Sequence, residues 1–75
     1  MELCDLAPGQ RARILNMNRL SHQVRRKLMV MGLLPNSEVL FLRTAPLGDP
    51  MQIQCQGICL SMQKGLAQLI EVEPV

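Results

Sequence analysis

Hydrophobic and polar positions alternate with two different periods along this chain of 75 residues. From Gln10 to Leu15, Arg11 and Arg13 alternate with Ala12 and Ile14, the two-residue period of a half-buried strand. Pro8-Gly9 just before it has turn chemistry. Asn16 to Leu20 is a short connection, and the period then changes. Leu20, Val24, Leu28 and Met31 recur at helical spacing and form one apolar face. His22, Gln23, Arg25, Arg26 and Lys27 lie largely off that face. Ser21 suits an N-cap, because its hydroxyl can accept a free backbone N–H. Gly32 suits the left-handed residue that closes a helix. The pattern predicts one helix over residues 21–32.

Beyond it, Leu34-Pro35-Asn36-Ser37 reads as a turn, with proline fixing φ and Asn36 tolerating a positive φ. Ser37 to Thr44 reads as a strand. Val39 and Phe41 are on one face and Leu40 and Leu42 on the other, which predicts cover on both sides. Two prolines around a glycine make Ala45-Pro46-Leu47-Gly48-Asp49-Pro50 a defined loop. Met51, Ile53 and Cys55 alternate with Gln52 and Gln54, and Ile58, Leu60 and Met62 follow. Gln56-Gly57 between them reads as a two-residue hairpin turn. That turn sets a register: Cys55 opposite Ile58, Ile53 opposite Leu60, Met51 opposite Met62, all six facing the core. Gln54 with Cys59 and Gln52 with Ser61 then share the other face. Gln63 to Ala67 suits a single helical turn, and Leu69 to Val72 a last strand before Glu73 and Pro74.

The order is therefore strand, helix, strand, strand, strand, helical turn, strand. That is a mainly β class with a helical insertion. Five short strands favour a small closed β-barrel, because closure removes exposed edges. The length fits a single domain, residues 1–75, with one core and little room for a deep catalytic cleft.

Composition removes several functions. The longest uncharged apolar stretch runs from Leu28 to Leu34, well short of the ~18–20 residues of a membrane span. The opening Met1-Glu2-Leu3-Cys4-Asp5 is acidic, where a secretion signal would be basic, and a cytoplasmic location is expected. Phe41 is the only aromatic residue. Single-stranded nucleic acid is gripped by stacking on aromatic rings, and proline-rich peptides lie in aromatic grooves. Neither surface can be built here.

Net charge is only +2, but its layout is uneven. Arg11, Arg13, Arg19, Arg25, Arg26 and Lys27 hold six of the eight basic charges, with no acid between Arg11 and Lys27. This is either a solvated basic face or a patch that steers an acidic protein surface. Nucleic acid is not expected, since such domains are usually more basic.

No catalytic constellation is present. His22 has no matched nucleophile, the acids are scattered, and no phosphate-binding glycine motif occurs. The hairpin register sends Cys55 and Cys59 to opposite faces, so they cannot easily share a metal or a disulfide, and Cys4 has no close partner. Neither a metal site, nor a cofactor, nor an enzymatic activity is expected. Of the methionines, Met31, Met51 and Met62 suit the core. Met29 points more outward, and Leu47 at a loop tip has no evident core duty, so both suit an interface.

Two segments carry a family resemblance. Arg25-Arg26-Lys27-Leu28-Met29-Val30-Met31-Gly32-Leu33-Leu34-Pro35 resembles the helix-to-turn signature of the ferrous iron transport protein A (FeoA) family. Ala45-Pro46-Leu47-Gly48-Asp49-Pro50 is similar to that family's most recognisable hexapeptide. Leu60-Ser61-Met62 and Leu69-Ile70-Glu71-Val72 also agree, so the resemblance spans about residues 3–73. Asn36 stands where a glycine is commoner, Gln63 where an arginine is frequent, and Gly65-Leu66 where an acidic pair is commoner. The resemblance implies an SH3-like barrel with a helix after the first strand. It also implies a small cytoplasmic accessory of ferrous iron uptake, acting with the membrane permease FeoB through its cytoplasmic GTP-binding region. The expected interface comprises Arg25, Arg26, Lys27, Met29, Leu47, Gly48, Asp49 and Pro50. The basic residues would pair with acids, Leu47 would anchor, and the glycine and prolines would hold the loop. Met29 and Leu47 also leave room for weak self-association. The alternative is a regulatory domain beside a metal-dependent transcription regulator, because repressors of the diphtheria toxin type carry the same fold.

Overall fold

The computed structural model describes all residues, Met1–Val75. A 3₁₀ turn (η1, Leu3–Asp5) precedes β1 (Arg11–Asn16), α1 (His22–Val30), β2 (Glu38–Thr44), β3 (Met51–Cys55), β4 (Ile58–Met62), α2 (Lys64–Ala67) and β5 (Glu71–Pro74). The strands form one antiparallel sheet in the order β4-β3-β2-β1-β5. β1 buries Ala12 and Ile14 and exposes Arg11 and Arg13. Register shifts between Ile14 and Asn16 in β1 and between Phe41 and Arg43 in β2 bend the sheet, as bulges do. The inner face encloses Leu3, Ile14, Met17, Leu33, Val39, Met51, Ile53, Ile70 and Val72, all essentially inaccessible.

The β3–β4 hairpin has the expected register, from Met51 opposite Met62 to Cys55 opposite Ile58. Its turn residues Gln56 and Gly57 both take positive φ, 53° and 82°. That is the pairing whose twist matches the flanking strands. The Leu34–Ser37 turn also forms, with Asn36 at φ 71° and the Ser37 amide donating to the Leu34 carbonyl at 3.0 Å.

Helix α1 ends in a glycine cap. Gly32 takes φ 102°, its amide donates to the Met29 carbonyl at 3.0 Å, and the Leu33 amide donates to the Leu28 carbonyl at 3.0 Å. This pair of bonds turns the chain back so that Leu33 meets Leu28.

Several expectations need correction. The barrel is not closed by a ladder: β4 and β5 are the two ends of the sheet order. The rim of β5 is instead occupied by the chain's first residues. Glu2 bridges Glu71, the Leu3 amide donates to the Ile70 carbonyl and the Val72 amide donates to the Met1 carbonyl. Ile58 is not in the core but 49 % exposed, because it lies beside the hairpin turn on the edge strand of the sheet. Met31 is 41 % exposed, because the Gly32 reversal gives the core position to Leu33. Leu40 and Leu42 are only half-buried, so the outer face of β2 is partly open. The last strand starts two residues later than expected, since Leu69 and Ile70 still close the α2 turn by bonding back to Leu66 and Ala67. Met17, placed in a plain connection, is a core residue.

Candidate docking surface

Helix α1 rests on the core through Val24 and Leu28, which are partly buried against it, after Leu20 at its entrance. Ser21 caps its first turn, the hydroxyl accepting the Val24 amide at 3.3 Å. A second stripe faces solvent. His22, Arg25, Arg26, Met29 and Val30 follow the spacing i, i+3, i+4, i+7, i+8 and line a shallow depression of about 320 Å³. That is the spacing with which a helix packs against another surface. Val30 is 82 % exposed. Met29, Met31 and Leu34 are exposed around it, so the apolar end of the stripe is wide.

The charges of this helix differ from those elsewhere. Each glutamate is engaged: Glu2 with Arg19 at 3.1 Å, Glu38 with Arg11 at 3.8 Å, Glu73 with Arg13 at 3.9 Å, and Glu71 with the Met1 ammonium at 3.9 Å. Asp5 accepts the Glu2 amide at 3.0 Å, and Asp49 accepts the Lys64 amide at 2.9 Å. No carboxylate pairs with Arg25, Arg26 or Lys27. Arg25 reaches only the Asn18 side-chain oxygen, at 3.5 Å. The basic run in the sequence therefore splits into a paired half on β1 and its connection and an unpaired half on α1.

The loop Ala45–Pro50 is the second part of the expected interface. The Gly48 amide donates to the Ala45 carbonyl at 2.7 Å, and the Ala45 amide to the Pro50 carbonyl at 2.9 Å. Gly48 takes φ 88°, a conformation that favours glycine, and the Asp49–Pro50 peptide is cis. These bonds hold Leu47 outward, 97 % exposed. Asp49 reaches across to the start of α2, so the loop is tied at its base.

The two parts are not adjacent. The Cys55 thiol donates to the Gly32 carbonyl at 3.6 Å, which places the end of α1 beside the far end of β3. The loop joins β2 to the opposite end of β3, at Met51. About 14 Å of strand separates them. Arg25, Arg26 and Met29 form one surface, with Lys27 turned to the flank of the helix outside it, and Leu47, Gly48, Asp49 and Pro50 form another. Val30, Met31 and Leu34 were not among the expected interface residues. The signal for Val30 was in the sequence, because it lies off the Val24–Leu28 face at helical spacing from His22 and Arg26.

The three thiols are free, with Cys55 buried and Cys59 exposed on opposite faces of the hairpin. Cys4, expected to stand apart, lies with Glu2 and Asp5 so that their ligand atoms are within 4.8 Å of one another. Burial, then Asp5, then Glu2, push its thiol pKa up, while Glu2 and Asp5 are held in a reciprocal cap of the 3₁₀ turn. Burial likewise raises the Cys55 thiol.

The FeoA domain model matches residues 1–74. The chain belongs to the FeoA family. The solution structure of the FeoA protein from Chlorobium tepidum is 37% identical with TM-score 0.95, matched over 100% of this chain and 70% of that one. Iron(II) transport protein A from Clostridium thermocellum is 39% identical with TM-score 0.92, over 100% of this chain and 46% of that one. The zinc-complexed FeoA from Stenotrophomonas maltophilia, described as an SH3 domain protein, is 21% identical with TM-score 0.83, over 97% of this chain and 89% of that one. The FeoA fold is thus SH3-like, and the family is linked to ferrous iron transport rather than to a known enzyme activity.

Proposed function

We propose that this FeoA-family chain is a non-enzymatic accessory of ferrous iron uptake that works by docking. Its partner is the FeoB permease, through the permease's cytoplasmic GTP-binding region, and it acts in the cytoplasm, reaching the membrane only through that partner. The observation that carries this reading is the α1 stripe, where Arg25 and Arg26, with Lys27 on the flank of the helix, lack carboxylate partners beside exposed Met29 and Val30. Unpaired cations speed encounter with an acidic surface, and apolar side chains supply area once contact is made. Leu47 gives a second apolar contact on the other side of the hairpin, held out by Gly48, Asp49 and Pro50. A partner using both must span the β2–β3 face; a smaller one uses α1 alone.

The test is an NMR titration of the isotope-labelled chain with the GTP-binding domain of its cognate permease, with and without nucleotide. Shifts gathered on Arg25–Val30, with or without Leu47–Pro50, support docking, and nucleotide dependence supports action on the permease cycle. No shifts with partner at about 500 μM would overturn direct binding, since even millimolar affinity would then be visible. A parallel titration with a metal-dependent transcription regulator examines the alternative partner. Shifts there and none with the permease domain would reverse the order of the two readings.

A further inference from the structure

We infer that the free edge of β4 is a self-association surface, on which a second copy of this chain adds its own β4 as an antiparallel strand. The inference does not rest on the docking role of α1. It starts from the two ends of the sheet. A strand edge presents unpaired N–H and C=O groups, and stable monomers blunt such edges with charge, proline or cover. β5 has all three: its sequence is Glu-Val-Glu-Pro, and residues 1–3 lie along it through the Glu2–Glu71 bridge and two backbone bonds. β4 has none. Its sequence is Ile-Cys-Leu-Ser-Met, with no charge and no proline, and it pairs only with β3.

The register identifies the open groups. In a hairpin closed by a two-residue turn, the flanking pair Cys55–Ile58 exchanges backbone bonds, and such pairs alternate along the ladder. Ile58, Leu60 and Met62 are thus bonded to β3, and the N–H and C=O groups of Cys59 and Ser61 point away from it. No turn or loop bond reaches residues 58–62.

A second copy fits this edge without conflict. Centring the two-fold axis on Leu60 sets Cys59 opposite the partner copy's Ser61 and Ser61 opposite its Cys59. That pairing uses the whole strand and satisfies all the open groups of both copies. It lays Ile58, 49 % exposed in one chain, beside Met62 of the other copy. The charge arrangement does not oppose it. The strand carries no charge, and Lys64, which opens α2 just past Met62, stands at opposite ends of the joined strands in the two copies, beyond the ~8 Å reach of unscreened charge. A pairing through α1 would instead bring Arg25, Arg26 and Lys27 of both copies together, with no carboxylate between them. A five-residue edge buries far less than the ~1,200 Å² of a stable complex, so the dimer is weak.

The experiment uses the full chain under reducing conditions, followed by sedimentation and by amide NMR from about 50 μM to about 2 mM, a range that brackets weak association. The expected result is reversible dimerisation, with concentration-dependent shifts at the Cys59 and Ser61 amides alternating with a quiet Leu60. Ser61→Pro removes only an outward N–H, the one placement a strand interior tolerates. It should weaken the dimer by roughly tenfold or more, since each copy loses a hydrogen bond. Ser61→Lys keeps every backbone group and adds like charge at the seam; it should have the same effect should the proline variant misfold. A chain that stays monomeric at the highest concentration overturns the inference. So does a dimer that both variants leave intact, which would place the contact at α1 or Leu47. So does a monomer whose Cys59 and Ser61 amides become protected only when an extended peptide is added.

Discussion

β1 and α1 are neighbours in sequence and carry similar basic residues, yet the two regions use them differently. On β1, Arg11 and Arg13 stand between strands that each supply a glutamate, and Ala12 and Ile14 fill the core between them. On α1, Arg25, Arg26 and Lys27 have no acidic neighbour, and Met29 and Val30 reach outward. The difference follows from position. A central strand has neighbours on both sides that can be matched residue by residue. A helix attached by one narrow face has only solvent around the rest. Similar residues are paired with carboxylates in one place and left without them in the other.

The comparison breaks most clearly through the core. Ile53→Ala, at a fully buried site on the sheet, should cost about 2–5 kcal/mol in chemical denaturation, whereas Val30→Ala on the helix should cost less than about 0.5 kcal/mol. Similar losses at both would mean that the outer stripe is packed. Reversing the free charges comes next. Replacing Arg25, Arg26 and Lys27 together by glutamate should weaken binding to the permease domain by at least about tenfold in calorimetry, mainly through slower association, with little loss of stability. Arg11→Ala should leave binding unchanged and lower stability by at most about 1 kcal/mol, because the Arg11–Glu38 pair is largely solvated.

Gly32→Ala probes the attachment of the helix. A Cβ there meets nothing within 4 Å, so the cost, about 1–2 kcal/mol by thermal melting, comes from φ 102° alone. The smallest effect is in pH. Burial raises the folded-state pKa of Cys4 and Cys55, so the folded chain disfavours their thiolates. Their contribution is complete below the unfolded thiol pKa and declines as pH rises through the folded values. Stability should therefore fall above roughly pH 8.5, and less in a Cys4→Ser, Cys55→Ser variant titrated in urea.

How far the sequence spoke depends on whether neighbours along the chain or across it decide the outcome. The β3–β4 register was legible because a two-residue turn leaves only one pairing. The end of α1 was legible because only glycine adopts that cap readily. The cover of β5 by residues 1–3 was not legible, since the contacts join Met1–Leu3 to Ile70–Val72 and no local pattern announces them. Met17 was missed for the same reason: nothing periodic surrounds it. At the candidate surface, the basic residues and Met29 were visible from their places on the helix. Their lack of partners was not, because it depends on where four distant glutamates point.

The tie between Asp49 and the Lys64 amide has a structural consequence. Leu47 stands at the tip of a short loop whose base is tied, 15 residues along the chain, to the turn that follows β4. One carboxylate thus serves two places at once: it anchors the base of the loop and satisfies the first free amide of α2. A substitution at Asp49 is therefore felt at the turn after β4 as well as at the loop that carries Leu47.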